Sequence, residues 1–186
     1  SILEIIGGGV SCLDIERDGL VDLAFATGGS ISPESVSGRR PCLMRCTAAW
    51  MFEECTENAR TTDDGLYTHG WAVSDVDQDG FEDLLLYGFA GASLWFNQGD
   101  GTFARSSFVH QEWTTAVAWL DVNQDGPLDL YLGSYVQWSP HSNQVCNSIA
   151  GVPDVCSPNV YKGGQNRCWL SAGDGTFYLD DQALDA

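Results

Sequence analysis

Asp75-Val76-Asp77-Gln78-Asp79-Gly80-Phe81-Glu82-Asp83-Leu84 is the stretch from which the fold is read. Oxygen-bearing side chains stand at its positions 1, 3, 5 and 9, with glycine at position 6. Alternation along the first five residues directs Asp75, Asp77 and Asp79 toward one centre. Gly80 permits a sharp reversal at positive φ, and the chain returns so that the Phe81 carbonyl and the Asp83 carboxylate close the cage. Carboxylates so clustered repel one another unless a cation sits among them. Hard, all-oxygen ligation in a flexible loop suits Ca²⁺ best, and Mg²⁺ or Mn²⁺ less well.

The motif occurs three times without gaps. Asp14-Ile15-Glu16-Arg17-Asp18-Gly19-Leu20-Val21-Asp22-Leu23 precedes it and Asp121-Val122-Asn123-Gln124-Asp125-Gly126-Pro127-Leu128-Asp129-Leu130 follows it. Position 2 is β-branched in each and position 10 is Leu. The expected ligands are therefore Asp14, Glu16, Asp18, Leu20 and Asp22 in loop one; Asp75, Asp77, Asp79, Phe81 and Asp83 in loop two; and Asp121, Asn123, Asp125, Pro127 and Asp129 in loop three, position 7 acting through its carbonyl. About three calcium ions are expected. An EF-hand needs a bidentate Glu at position 12, where this chain has Phe25, Leu86 and Leu132.

Each loop lies between short runs that read as strands, such as Trp71-Ala72-Val73-Ser74 before loop two and Leu84-Leu85-Leu86-Tyr87 after it. Further on, Leu94-Trp95-Phe96-Asn97-Gln98-Gly99-Asp100-Gly101-Thr102-Phe103 and Trp169–Phe177 read as hairpins turning at Asp-Gly. The segment Leu43–Phe52 takes the same place in the first unit without the glycines. The fold class is all-β, in three units of about four strands. They span 1–60, 61–111 and 112–186, the last with a Cys-containing insertion at 137–165. Such units resemble propeller blades, of which a closed ring needs at least about four. Three predict an incomplete propeller or an open blade array. Its exposed ends would be covered by other blades of the same longer chain or by neighbouring copies, because open edges invite aggregation.

Composition narrows the function. A net charge of −18 with only 8 Lys and Arg excludes a nucleic-acid surface, which requires a basic footprint. No apolar run is long enough for a transmembrane segment. Seven cysteines indicate an oxidising compartment. There is no CxxC pair, so zinc is not expected. A hairpin turning at Thr47–Trp50 pairs Cys46 with Met51 and hence Cys42 with Cys55, predicting a cross-strand disulfide. Cys146 and Cys156 close a short loop and form the second expected bond, leaving Cys12, Cys46 and Cys168. His69, His110 and His141 read as surface or turn residues. Trp71, Trp95, Trp113 and Trp119 read as packing residues, and Trp138 as the exposed contact.

On the Asp-Gly-x-x-Asp-Leu cores, the Gly-Asp-Gly-Thr-Phe turns at 99–103 and 173–177, and Gly7-Gly8-Gly9-Val10 leading into loop one, the chain resembles the FG-GAP/VCBS repeat class of calcium-binding β-propellers. With the Cys146…Cys156 insertion it resembles more narrowly the ASPIC/UnbV and cartilage-acidic-protein group. Glu16 and Asn123 at position 3 depart from the pattern, as does the first unit's missing Gly-Asp-Gly-Thr turn. The resemblance implies an extracellular, calcium-loaded scaffold, secreted or at the cell surface, for adhesion or contact with a matrix protein or glycan. It does not imply an enzyme. Two alternatives stand beside it: a filament subunit joined head to tail through open blade edges, and a fragment of a propeller hydrolase acting on glycans. Segments 28–41, 56–69 and 137–165 are the expected places for partner recognition.

Overall fold

Period-two apolar patterning between acidic turns produces antiparallel strands throughout. The computed structural model describes residues 1–61 and 65–180. Expectations for 62–64, within the 56–69 segment, and for 181–186, at the end of the third unit, lie outside the described residues. In chain order the first unit gives β1 (Val10–Leu13), β2 (Asp22–Phe25), β3 (Gly29–Ile31), β4 (Val36–Gly38), β5 (Cys42–Ala48) and β6 (Met51–Glu54). The second gives β7 (Tyr67–Ser74), β8 (Asp83–Phe89), β9 (Gly91–Asn97) and β10 (Phe103–Arg105). The third gives β11 (Thr114–Leu120), β12 (Asp129–Ser134), β13 (Cys146–Asn147), β14 (Pro153–Asp154), β15 (Arg167–Ser171) and β16 (Phe177–Asp180).

Among the described residues there are three four-stranded sheets, ordered β1-β2-β5-β6, β7-β8-β9-β10 and β11-β12-β15-β16, none closed on itself. The pairs β3-β4 and β13-β14 are separate small hairpins. Each acidic loop joins the first two strands of its sheet, and its position-9 aspartate opens the second of them.

The sheets pack face to face. Leu13, Ile15, Ala24 and Leu43 of the first meet Trp71, Leu84, Leu86 and Trp95 of the second in one core. The other face of the second sheet supplies Leu85, Ala92 and Leu94 to a second core with Leu130 and Leu132 of the third. The unbroken apolar run Leu84-Leu85-Leu86 follows from this: β8 is covered on both faces, so alternation there has no polar side. Fully burying each Leu contributes about 1.5–3 kcal/mol. At the strand ends away from the acidic loops, Ile2, Leu3, Trp113, Val136 and Trp138 form a third, aromatic cluster. Trp138, expected to be exposed, is buried there. It packs edge-to-face on Phe89, and its Nε1 donates to Asn143 Oδ1 at 3.0 Å. The exposed tryptophan is Trp50, 90% accessible at the tip between β5 and β6.

The expected Cys42–Cys55 disulfide is not formed. The β5-β6 register pairs Cys46 with Phe52 and Met44 with Glu54, with an irregularity between Cys46 and Ala48. That is one residue away from the register anticipated. Cys55 donates its amide to Leu43 O at 2.9 Å and is buried in the first core, while Cys42 lies on the opposite face. A one-residue slip exchanges the faces of every side chain. Cys146 and Cys156 are bonded, with Cα atoms 5.1 Å apart, and close the insertion beside β13 and β14.

Alkylation in denaturant without reductant should therefore label the five cysteines Cys12, Cys42, Cys46, Cys55 and Cys168. Reductant should add Cys146 and Cys156. Protection of Cys42 and Cys55 in the unreduced sample would overturn the register described.

Candidate metal centre

Three buried aspartates organise the acidic loops. Asp83 Oδ2 accepts the Val76 amide at 2.8 Å and Oδ1 accepts the Asn97 amide at 2.9 Å. Asp22 does the same for Ile15 and Cys46, at 2.8 and 2.7 Å, and Asp129 for Val122 and Ser171, at 2.9 and 2.8 Å. In each sheet one carboxylate thus ties position 2 of the loop to the third strand. All three aspartates are buried, where leaving either amide unpaired would cost about 1–3 kcal/mol.

The first aspartate of each loop shapes the turn. Asp14 accepts the amides of Asp18 and Gly19 at 2.9 and 2.8 Å, Asp75 that of Gly80 at 2.9 Å, and Asp121 those of Asp125 and Gly126 at 3.1 and 3.0 Å. Gly19, Gly80 and Gly126 have φ of 85°, 93° and 106°, as the reversal requires. Position 4 is left-handed too, at Arg17, Gln78 and Gln124 (φ 57°, 61° and 60°). No residue type at position 4 announces this.

Loop two brings ligand atoms together. One carboxylate oxygen from each of Asp75, Asp77 and Asp83 lies within 4.8 Å of the others. Asp75 Oδ1 is buried without a hydrogen-bond partner. These oxygens fit a hard divalent cation, which would supply the missing contact and offset the repulsion. Asp79 lies outside this trio, its Oδ1 accepting the Phe81 amide at 2.8 Å. Burial is the main cause that pushes the Asp83 carboxyl up to about 7, and neighbouring Asp77 and Asp79 add to it against the two amide bonds. Asp77 is also raised, first by burial and then by Asp79.

The other two loops differ. Among the described residues neither gathers three carboxylates in this way. Glu16 is ion-paired with Arg45 of β5, and burial raises its carboxyl more than Arg45 lowers it. In loop three Asn123 Nδ2 donates to Asp125 Oδ2 at 2.7 Å. Pro127 has no amide to offer Asp125, whereas Leu20 and Phe81 donate at position 7 to Asp18 and Asp79.

Two residues outside the expected ligand set hold loop one against loop two. Glu82 Oε2 accepts the Asp14 amide at 2.8 Å, and Asn97 Nδ2 donates to Ile15 O at 2.9 Å. The Arg17 guanidinium lies over the Phe81 ring, 5.5 Å from its centre. Such contacts join residues far apart in the chain, so no local pattern marks them.

Two of the three histidines are not surface residues. His69 and His110 are buried, and only His141 is exposed. His69 Nε2 accepts from Trp113 Nε1 at 2.8 Å, so its ring is neutral with the proton on Nδ1. Burial holds this imidazole down at about 4, and it also lowers His110.

The FG-GAP-like repeat family matches residues 75–132, from the first aspartate of loop two through loop three into β12. The match contains the Asp75, Asp77 and Asp83 trio. A comparison with curated proteins finds no match for the chain.

Two outcomes follow from these contacts. Asp83→Asn replaces an acceptor oxygen with a donor, so urea unfolding in chelator should show a loss of about 1–3 kcal/mol or more. Asp22→Asn and Asp129→Asn should behave alike; wild-type stability would refute the bridging role of these carboxylates. For His69 the folded value lies below the ordinary 6.5. Its contribution is therefore intact above that pH and lost as pH falls toward about 4, by up to roughly 3 kcal/mol. His69→Gln, which keeps an acceptor for Trp113, should flatten the stability profile across that window.

Proposed function

We propose that the chain is an extracellular calcium-binding module of propeller-blade-like repeats with a structural or adhesive role and no catalytic one. The observation that carries this reading is the convergence of Asp75, Asp77 and Asp83, braced by backbone amides, inside the FG-GAP-like repeat. FG-GAP repeats commonly bind Ca²⁺ and are typical of extracellular proteins. The Cys146–Cys156 bond fits a non-cytosolic location. The three four-stranded sheets, each with an acidic loop between its first two strands, support their reading as blades. The narrower likeness to the ASPIC/UnbV and cartilage-acidic-protein group belongs to the same proposal.

In loop two Asp75, Asp77 and Asp83 would hold the ion, with Asp79 and the Phe81 carbonyl completing the shell. Loops one and three would take one ion each, more weakly, since Glu16 is engaged by Arg45 and Asn123 is uncharged. The ion supplies positive charge where the loop has brought carboxylates together. The protein's own part is to hold those oxygens in place through the Gly80 and Val76 amides. Matrix protein or glycan contact would fall to the segments at 28–41 and 137–165, away from the loops.

With Kd ~10⁻⁴ M and ~1 mM free ion, each site stabilises by roughly 1.4 kcal/mol. That is a rise in melting temperature of about 3–6 °C per site for a chain of this size. Asp77→Asn should lose the loop-two share in calcium while melting like the wild type in chelator. Identical wild-type melts with calcium and with chelator would sink the proposal.

A further inference from the structure

Position 8 of the acidic loops differs where the positions around it repeat. It is Val21 in loop one, Glu82 in loop two and Leu128 in loop three. Of these only Glu82 carries a side-chain acceptor, and that acceptor is used outside its own loop. Glu82 Oε2 takes the amide of Asp14, the first residue of loop one, at 2.8 Å. In the chain Glu82 stands between Phe81 and Asp83, whose carbonyl and carboxylate belong to the expected ion shell. A tether at position 8 therefore acts on both.

Asn97, the last residue of β9, fastens the same stretch through its main chain. Its Nδ2 donates to the Ile15 carbonyl of loop one at 2.9 Å and to the Glu82 carbonyl at 3.3 Å, while its own amide donates to Asp83 Oδ1. Its Oδ1 accepts the Gly99 amide at 3.0 Å, and the residue is fully buried. Arg17 of loop one adds a third contact: a Cβ at Gly80 would stand 2.8 Å from its Nη1, and its guanidinium lies over the Phe81 ring. Between the second and third sheets the corresponding residues are of other kinds. Leu128 cannot accept a hydrogen bond, Gln78 stands in place of Arg17, and Ser171 stands in place of Asn97, its hydroxyl accepting the Gly173 amide at 3.1 Å.

We infer that Glu82 and Asn97 are positioning residues for the ion of loop two, fastening its ligands to the main chain of loop one. The inference rests on the calcium reading above and adds to it the source of the site's rigidity. Affinity in oxygen-ligand loops follows ligand charge and site rigidity together. Inside loop two, the Val76 and Gly80 amides hold Asp83 and Asp75. The return of the chain through Phe81 and Glu82 is held from loop one instead. Among the described residues, the loop with this tether is also the loop that gathers three carboxylate oxygens.

Calcium titration calorimetry on the full chain tests it, the loop-two step being the one that Asp77→Asn removes. Glu82→Leu, which installs the residue found in loop three, removes the acceptor and should raise the loop-two Kd about tenfold or more. Glu82→Gln keeps an acceptor for the Asp14 amide and should stay within about threefold of the wild type in ~0.15 M salt, which screens charge acting at a distance. Asn97→Ser, the residue of the third sheet, should weaken the same step. It serves if Glu82→Leu fails to fold, with near-ultraviolet circular dichroism as the check. Glu82→Gln weakening the step as far as Glu82→Leu would make charge the cause and overturn the inference. So would a Glu82→Leu protein that melts lower in chelator yet keeps the wild-type Kd, the outcome of a merely structural bond. No calcium uptake by the wild type overturns the calcium reading and this inference together. Uptake that neither Glu82→Leu nor Asn97→Ser weakens overturns this inference alone.

Discussion

The structure depends on a buried carboxylate with two backbone amides to satisfy. Asp22, Asp83 and Asp129 each accept one amide from the loop and one from the third strand of the sheet. A carboxylate has acceptor capacity for both and needs no cation to make these bonds. Charge repulsion with the other loop acids then remains, and in loop two it is concentrated by burial. The same residue type therefore does two things in one turn: position 9 fixes the fold, while positions 1 and 3 present oxygens toward it.

Packing follows from this local device. Each strap holds the first three strands of a sheet in one register, which sets alternate side chains on opposite faces. The middle sheet uses both faces, and Leu84, Leu85 and Leu86 divide between two cores. The outer sheets use one face fully. Glu82 and Asn97 add bonds between the first loop and the second sheet, so neighbouring units are joined by polar contacts as well as apolar ones.

Much of this is legible in the chain because it repeats. Spacing of aspartates and glycine locates all three loops, and the apolar runs beside them locate the paired strands. What the pattern does not reveal is the division of labour among the acids. Asp79 and Asp83 look equivalent in sequence, but one caps a turn at the surface and the other is buried between strands. The hairpin after Cys46 shows a second limit: a single irregularity at its tip changes which face each cysteine takes, and turn geometry there is not written in any glycine. His69 and Trp138 show a third. Their burial depends on chain segments far away in sequence meeting at the strand ends, which residue type alone does not convey.

The three connections between second and third strands differ greatly in length while the acidic loops do not. In the middle sheet β8 reaches β9 through Ala90 alone; in the first, β3 and β4 intervene; in the third, the disulfide-bonded segment intervenes. In each acidic loop the position-2 and position-6 amides are claimed by carboxylates of the same loop, so a residue added there would pull those donors away from their acceptors. The opposite connection has only to bring two strand ends together, and doubling a loop's length costs only about 0.6 kcal/mol. The molecule is thus rigid in design at one pole and permissive at the other. New recognition surfaces can be grafted onto the permissive pole without disturbing the chemistry that holds the sheets.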